Sequence, residues 1–176
     1  KTIIINYISL LTIVIFFLGL FSDLKKIGPA LRLFFLLLIT LFYVYSNNLY
    51  IYDLQFSIIN NFFDNNLIAA IIFSSLCIVI LVNGINFVDG VHGLAILYVI
   101  ITILLLNYFV YQVNVEFINF EDSLYLIPAL IILYFLNINE KVFLGDSGSY
   151  LLAAALGFSA IKISNLENLS YPYVYA

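Results

Sequence analysis

Six long blocks of apolar residues, separated by short polar linkers, restrict the fold of this chain more than any other feature. A helix needs about 20 apolar residues to cross a membrane core about 30 Å thick, and the blocks approach that length. As helices they would be apolar on all sides, so they are expected to lie in a lipid bilayer. The blocks are residues 2–21, 31–45, 67–82, 94–111, 124–136 and 150–163. The sequence therefore predicts an all-α fold, a polytopic membrane bundle of about six transmembrane helices.

Composition supports a membrane protein and excludes other classes. Of 176 residues, 65% are hydrophobic and 9% are charged, whereas about a quarter of the residues are charged in a soluble domain. The formal charge of −4 leaves no basic surface for a nucleic-acid backbone, so nucleic-acid binding is excluded. The single cysteine, Cys77, lies inside an apolar block and excludes an internal disulfide framework. We therefore expect the chain to be embedded in a lipid bilayer.

The chain begins with Lys1, ends with Ala176 and contains no methionine. We therefore expect residues 1–176 to form a single integral membrane domain that is part of a longer protein, and we expect this part alone to be inactive. Two linkers, 53–58 and 112–117, alternate polar and apolar residues. That alternation predicts short strands in the outer loops.

Successive spans alternate in direction, so the linkers 22–30, 83–93 and 137–149 fall on one side of the membrane. The basic residues of that side are Lys25, Lys26, Arg32 and Lys141. The opposite side has only Lys1 and Lys162, near the ends of spans. Because basic residues are enriched in cytoplasmic loops, the first side is predicted to be cytoplasmic.

The linker at 83–93 contains more polar residues and glycines than a connector requires. Its glycines are Gly84, Gly90 and Gly93, and its polar side chains are Asn83, Asn86, Asp89 and His92. Glycine lets a backbone approach a ligand closely, amides can read a base or a sugar, and Asp89 is a hard oxygen ligand suited to Mg²⁺. The alternative is a turn that caps a helix, since Asp-Gly is also an ordinary turn signal.

The other two linkers on this side add charged groups. Residues 145–149 offer the carboxylate of Asp146, two hydroxyls and backbone amides, although Ser147 or Ser149 is also a candidate N-cap. The first linker supplies Asp23, and Arg32 follows it near the membrane surface. Since the helices after all three linkers begin at one face, their positive dipole ends point to the same place. Together these groups predict a site for a Mg²⁺-bound diphosphate beside lipid.

Three segments resemble motifs of the polyprenyl-phosphate N-acetylhexosamine-1-phosphate transferases, the family of the MraY-type and WecA-type enzymes. Residues 83–94 are similar to its Asn-x-x-Asn-x-x-Asp-Gly-x-Asp-Gly-Leu motif, and residues 143–149 to its Phe-x-Gly-Asp-x-Gly-Ser motif. Residues 19–33 resemble its Asp-Asp loop and the helix that follows. The motifs occur in the family's order, and the resemblance covers essentially the whole chain.

The resemblance implies transfer of a sugar 1-phosphate from a UDP-N-acetylhexosamine to polyprenyl phosphate, with Mg²⁺ required and UMP released. The product would be a lipid-linked diphosphate sugar for cell-envelope polysaccharides such as peptidoglycan or lipopolysaccharide. It also implies a multi-pass protein of the bacterial inner membrane, with a cytoplasmic active site and a homodimeric assembly.

By matching position, the resemblance implies catalytic roles for Asp23, Asp89 and Asp146. Asp146 would bind Mg²⁺, and Asp23 would act near the acceptor phosphate as a metal partner or proton acceptor. Substrate contacts are expected from Asn83, Asn86, Gly90, His92, Gly93, Arg32, Gly145 and Ser147. Arg32 would hold a phosphate, and the two asparagines would contact the nucleotide-sugar.

The chain departs from the family pattern at two positions. Ser22 stands where the family has the first aspartate of its pair, and His92 replaces the second aspartate of the Asp-Gly-x-Asp-Gly segment. These departures keep open the alternative of an inactive membrane scaffold derived from such an enzyme. A transporter is the other alternative, but the acidic residues lie in linkers or at span ends rather than near a midplane, which favours interfacial chemistry.

Overall fold

The structure is a computed structural model that describes residues 2–25, 27–51, 54, 56–112 and 124–165. These residues form seven helices and contain no strand. The helices are α1 (Thr2–Lys25), α2 (Pro29–Ser46), α3 (Ser57–Asn65), α4 (Leu67–Val88), α5 (Leu94–Gln112), α6 (Ile127–Ile138) and α7 (Gly145–Ser164). The prediction of an all-α fold is confirmed for the part of the chain that the structure describes.

The outer-loop strand predicted over 53–58 is wrong where the structure describes it, because Ser57 begins α3. The apolar residues Ile58, Ile59, Phe62 and Phe63 recur at helical spacing, and this longer pattern outweighs the short alternation before it. The ring of Phe63 packs on that of Phe73 in α4, with centroids 5.3 Å apart. The strand predicted over 112–117 lies outside the described residues, apart from Gln112 at the end of α5.

The predicted number of about six membrane spans is not confirmed. Among the described residues, two helices, α2 and α4, are long and apolar enough to cross a membrane by length and composition. Each of the other predicted blocks also coincides with a helix, but α6 has only 12 residues. At about 1.5 Å per residue it spans about 18 Å, short of a membrane core of about 30 Å.

Helix α7 occupies the centre of the bundle and packs against α1, α4 and α5. Its buried face carries small residues, Ala153, Ala154 and Gly157, which allow neighbouring helices to approach closely. A Cβ on Gly157 would lie 3.3 Å from a methyl carbon of Leu81 in α4. The buried aromatic residue Phe158 packs on Tyr43 of α2, with ring centroids 4.5 Å apart.

The crossing of α1 and α7 depends on Gly19. A Cβ at this position would stand 2.6 Å from both the carbonyl oxygen of Asp146 and the Cα of Ser147. Both neighbours are backbone atoms, which cannot swing away as a flexible side chain can. Glycine therefore lets the last turns of α1 lie directly on the first turn of α7.

The linkers 22–30, 83–93 and 137–149, which were predicted to share one side, meet at one end of the bundle. Hydrogen bonds join α1 and α2 to the start of α7, α4 to α7, and Gly93 to Asn137 of α6. The C-terminal ends of α1, α4 and α6 therefore lie beside the N-terminal ends of α2, α5 and α7. This part of the predicted arrangement is confirmed.

Candidate active site

The carboxylate of Asp23 caps the N-terminus of α7. Its Oδ1 accepts the backbone N–H of Asp146, and its Oδ2 accepts that of Ser147, each at 3.0 Å. Gly145 begins α7 with a φ of +68°, and a Cβ there would lie 3.1 Å from Oδ2 of Asp23. Glycine both adopts this backbone conformation readily and leaves room for the carboxylate. The last turn of α1 thereby satisfies two amides that a helix N-terminus leaves open.

The side chain of Asp146 is held by α1 and α2. Its Oδ2 forms an ion pair with Nη1 of Arg32 and accepts a hydrogen bond from Oγ of Ser22 at 2.6 Å. Nη1 of Arg32 also donates to Oγ of Ser22 at 3.1 Å. Ser22 is 5% exposed, whereas the charged pair is half-buried. Asp146, Arg32 and Ser22 therefore form a closed three-membered network.

Arg32 lies in the first turn of α2, which starts at Pro29 after the extended residue Gly28. Proline suits a first-turn position because it has no amide hydrogen to leave unpaired. Within the described part of the chain, the buried Nε of Arg32 has no hydrogen-bond partner. A buried N–H without an acceptor is unfavourable, so this atom suits a ligand oxygen.

Asp89 follows the C-terminus of α4 and faces the start of α7. Burial raises the pKa of its carboxyl above the ordinary value of 3.8, and a backbone hydrogen bond from Gly145 opposes that rise. The negative charges of Asp146 and Asp23 raise the pKa of Asp89 further. The three aspartates predicted from the sequence therefore lie within electrostatic range of one another.

The two asparagines of α4 have different surroundings. Oδ1 of Asn86 accepts the hydroxyl of Ser149 at 2.7 Å, which joins α4 to α7 one turn beyond Asp146. Nδ2 of Asn83 donates to the carbonyl of Val79 in its own helix at 2.8 Å. Asn86 is thus linked through Ser149 to Asp146, one of the three clustered aspartates (Asp23, Asp89 and Asp146). Among the described residues, no contact links Asn83 to that cluster.

The connector between α4 and α5 presents an exposed aromatic surface beside the cluster. The ring of His92 packs on that of Phe143, with centroids 5.9 Å apart, and both side chains are exposed. Gly90 lies in the same exposed connector. Gly93 is buried, and its N–H donates to Oδ1 of Asn137 at 2.5 Å.

The comparisons with known proteins agree with this geometry. The model of the family named Glycosyl transferase family 4 matches residues 5–164, most of the chain. The chain belongs to glycosyl transferase family 4. A curated relative, the phospho-N-acetylmuramoyl-pentapeptide-transferase of Dictyoglomus thermophilum, is 34% identical over 158 residues, which are 83% of this chain and 48% of the relative. The chain thus spans about half the length of that relative. No solved structure matches the chain.

Sequence reasoning missed three residues that complete the site of this family 4 chain. The sequence indicates Ser149 only as a hydroxyl or a candidate N-cap, but its hydroxyl bridges Oδ1 of Asn86 and the carbonyl of Asp146, at 2.7 and 3.2 Å. Phe143 belongs to a recognised motif, and its exposure beside His92 is a tertiary feature. Asn137 lies just after an apolar block, and nothing in the sequence distinguishes it from Asn139.

The donor set of the family 4 site suits a magnesium ion that is shared with substrate. Among the described residues, no three His, Cys, Asp or Glu side chains form a group that holds a metal by itself. Mg²⁺ commonly binds through one or two carboxylates and the oxygens of substrate phosphates, so a full protein cage is not required. The negative charges of Asp146 and Asp23 disfavour the ionised form of Asp89, and a bound cation would offset this repulsion. Both oxygens of Asp23 already accept amides, so its predicted role as a metal ligand stays a prediction.

Proposed function

We propose that the complete protein transfers a sugar 1-phosphate from a UDP-N-acetylhexosamine to polyprenyl phosphate and releases UMP. The observation that carries the proposal is the convergence of Asp23, Asp89, Asp146 and Arg32 at one end of an apolar bundle. One or two carboxylates, such as those of Asp146 and Asp89, suit a metal ion shared with a substrate diphosphate, and a guanidinium beside apolar helices suits a lipid phosphate. Membership of glycosyl transferase family 4 and the printed name of the relative support the same class of reaction.

In this proposal Asp146 is the principal ligand of Mg²⁺. Bound Mg²⁺ would neutralise charge on the diphosphate of the donor and orient it toward the acceptor. Asp146 reaches the site from the first turn of α7, where the backbone is fixed by Asp23 and the side chain by Arg32 and Ser22. The carboxylate is thereby held in one place before substrate arrives, which reduces the ordering that binding requires.

Arg32 is proposed to bind a phosphate oxygen. Its Nη1 pairs with Asp146, whereas its buried Nε has no acceptor within the described part of the chain. A phosphate oxygen would satisfy that donor with a charge-assisted hydrogen bond. Because α2 continues as an apolar helix long enough to cross a membrane, a phosphate at Arg32 would lie at the level of a lipid headgroup.

The donor is proposed to bind along the connectors at 89–93 and 143–147. The exposed rings of His92 and Phe143 offer a flat surface for a base. The expected contacts with the nucleotide-sugar are those of Asn83, Asn86, Gly90, Gly93, Gly145 and Ser147. Asp89, next to this surface, is proposed to accept hydrogen bonds from a sugar or nucleotide.

The proposed setting is the bacterial inner membrane, with the site at the cytoplasmic face. The exposed sides of α2 and α4 are apolar, and they include Phe34, Leu38, Phe42, Ile68, Ile72 and Ile80. These sides suit contact with lipid, and the remaining apolar helices are proposed to complete a polytopic bundle. A homodimer remains a prediction.

The test is UMP release by membranes that carry the complete protein, supplied with one UDP-N-acetylhexosamine at a time and with polyprenyl phosphate. The proposal predicts release that depends on both the lipid and one donor, and the working donor identifies the sugar. If inserted protein releases no UMP with any donor, the proposal fails and the scaffold alternative is favoured. Release that does not need the lipid would also contradict the transfer to polyprenyl phosphate.

A further inference from the structure

Asn137 lies in the last turn of α6, and its side chain joins two connectors of the candidate site. It is 2% exposed. Its Oδ1 accepts the backbone N–H of Gly93, 44 residues away in the sequence, at 2.5 Å. Its Nδ2 donates to the carbonyl of Val142 at 2.9 Å. One buried amide thus links the connector after α4 to the connector before α7.

The conformation of Gly93 also favours its hydrogen bond with Asn137. Gly93 has a φ of +78°, a conformation that favours glycine. A Cβ at Gly93 would stand 2.8 Å from Cγ1 of Ile138 and 2.9 Å from a ring carbon of Tyr134. The backbone of Gly93 therefore packs directly on α6, and any larger residue would push the connector away from Asn137.

Both connectors carry residues of the candidate site. Gly93 ends the segment that holds Asp89 and His92, and Val142 directly precedes Phe143. The ring contact of His92 with Phe143 crosses the same gap between connectors. Both of those side chains are exposed, whereas Asn137 is buried. Asn137 is therefore the better protected of the two links.

We propose that Asn137 is a positioning residue: its buried amide holds the 89–93 connector and the 142–145 connector at a fixed separation, so that Asp89 faces Asp146. Asn137 acts through these residues and does not touch substrate. This inference rests on the proposed transfer reaction, because that reaction is the activity that Asn137 would support. The link itself is measurable without turnover, because it protects the amide hydrogen of Gly93.

The chain offers matched variants for a test. Asn137→Leu removes both hydrogen bonds at similar volume and leaves the buried N–H of Gly93 without its acceptor. Asn137→Asp keeps an acceptor for Gly93 but loses the donor to Val142. Asn139 is the control, because it is exposed and its Nδ2 donates to the carbonyl of Phe135 in the preceding turn, at 2.6 Å. Asn139→Leu and Asn139→Asp change the same groups without touching the link.

The experiment measures hydrogen exchange and steady-state kinetics on the complete protein in lipid nanodiscs. In Asn137→Leu, the Gly93 amide is expected to exchange about tenfold faster or more, since a hydrogen bond is lost. The kcat/KM for the donor is expected to fall by about a hundredfold, as for a misplaced reacting group. Asn137→Asp is expected to keep slow exchange at Gly93, to exchange faster at residues 143–145, and to lose less activity. Both Asn139 variants are expected to match the wild type.

Several outcomes would overturn the proposal. Unchanged Gly93 exchange in Asn137→Leu would show that the link is not formed, and lost activity with unchanged exchange would indicate direct contact with substrate. If Asn137→Leu does not insert, Asn137→Asp decides, and wild-type exchange at 143–145 with wild-type kinetics would reject the role of Asn137. If wild-type protein releases UMP while the Asn137 variants match the controls, only this inference fails. If wild-type protein releases none with any donor, the proposed function fails first and the positioning role falls with it.

Discussion

The carboxylate of Asp23 accepts the backbone N–H of Asp146, so two residues from opposite ends of the sequence are joined through the main chain of α7. Asp23 closes α1 and Asp146 opens α7, 123 residues apart. A carboxylate at a helix N-terminus is favourable because it pairs with open amides and with the positive end of the helix dipole. The position of Asp146 therefore depends on a residue that does not touch its side chain.

Replacement of Asp23 should weaken the start of α7. Asp23→Ala removes both acceptors and is expected to lower the free energy of unfolding by about 1 kcal/mol. Asp23→Asn keeps one acceptor and is expected to fall between Ala and wild type in stability. Both variants are expected to lose most turnover, since Asp146 loses its fixed backbone. Thermal unfolding of the complete protein in detergent, together with UMP release, checks this. A stable, fully active Asp23→Ala variant would contradict the role of the cap.

The close crossing of α1 and α7 makes Gly19 intolerant of a methyl group. Gly19→Ala would place a Cβ 2.6 Å from backbone atoms of Asp146 and Ser147, so the helices must separate. We expect a loss of stability of about 1–3 kcal/mol, in the range of overpacked cores, and loss of activity. Gly84→Ala is the matched control, because a Cβ there meets nothing within 4 Å and alanine favours a helix. Equal melting temperatures for the two variants would argue against the observed crossing.

Arg32 should be required for activity through its charge and its shape. Arg32→Gln breaks the ion pair with Asp146 and removes the proposed phosphate contact, so kcat/KM is expected to fall about ten- to a hundredfold. Arg32→Lys restores the charge but not the fork of N–H donors, and only partial recovery is expected. Lys25→Gln is the control, since Lys25 is exposed and lies over the ring of Phe21. If the Lys25 and Arg32 variants lose activity equally, the site does not need Arg32 specifically.

Asp89 should oppose folding while it serves the reaction. Because its pKa is raised in the folded protein, the folded state still binds a proton at pH values where the unfolded chain has released it. The contribution of Asp89 to the free energy of unfolding therefore declines as the pH rises from 3.8 through the raised value, and it stays low at pH 7. Asp89→Asn is expected to be more stable than wild type at pH 7, to lose this pH dependence, and to be inactive. Unfolding curves at pH 4 and pH 7, with UMP release, test the three expectations; a destabilised or active variant would contradict them.

Much of the fold could be predicted because a long apolar block favours a helix whichever neighbours it packs against. The blocks located six of the seven helices, and the alternation of their directions brought the three polar linkers to one end. The helix α3 was missed because its polar and apolar residues follow a segment whose short alternation resembles a strand. The number of about six membrane spans stays a prediction: among the described residues only α2 and α4 are long and apolar enough to cross a membrane, and α6 contains only 12 residues.

The composition of the site was more predictable than its contacts. Asp23, Asp89, Asp146 and Arg32 were recognisable because charged groups beside apolar blocks are unfavourable unless they have a role. Which of them pair could not be predicted, since that depends on how closely α1 crosses α7. Asn137 and Asn139 look alike in the sequence, but Asn137 lies in the last turn of α6 with its side chain buried, whereas Asn139 follows the end of that helix and is exposed.

The most direct test of the account compares wild type with Asp146→Asn for Mg²⁺-dependent release of UMP, in membranes that carry the complete protein, the donor and polyprenyl phosphate. Asp64→Asn in α3, an exposed acidic residue outside the cluster, is the control. The account predicts release that requires Mg²⁺ in wild type and in the control, and a loss of at least about a hundredfold in Asp146→Asn, because a metal ion supplies several kcal/mol of charge stabilisation. Mg²⁺-dependent release at near wild-type rates from inserted Asp146→Asn protein would contradict it.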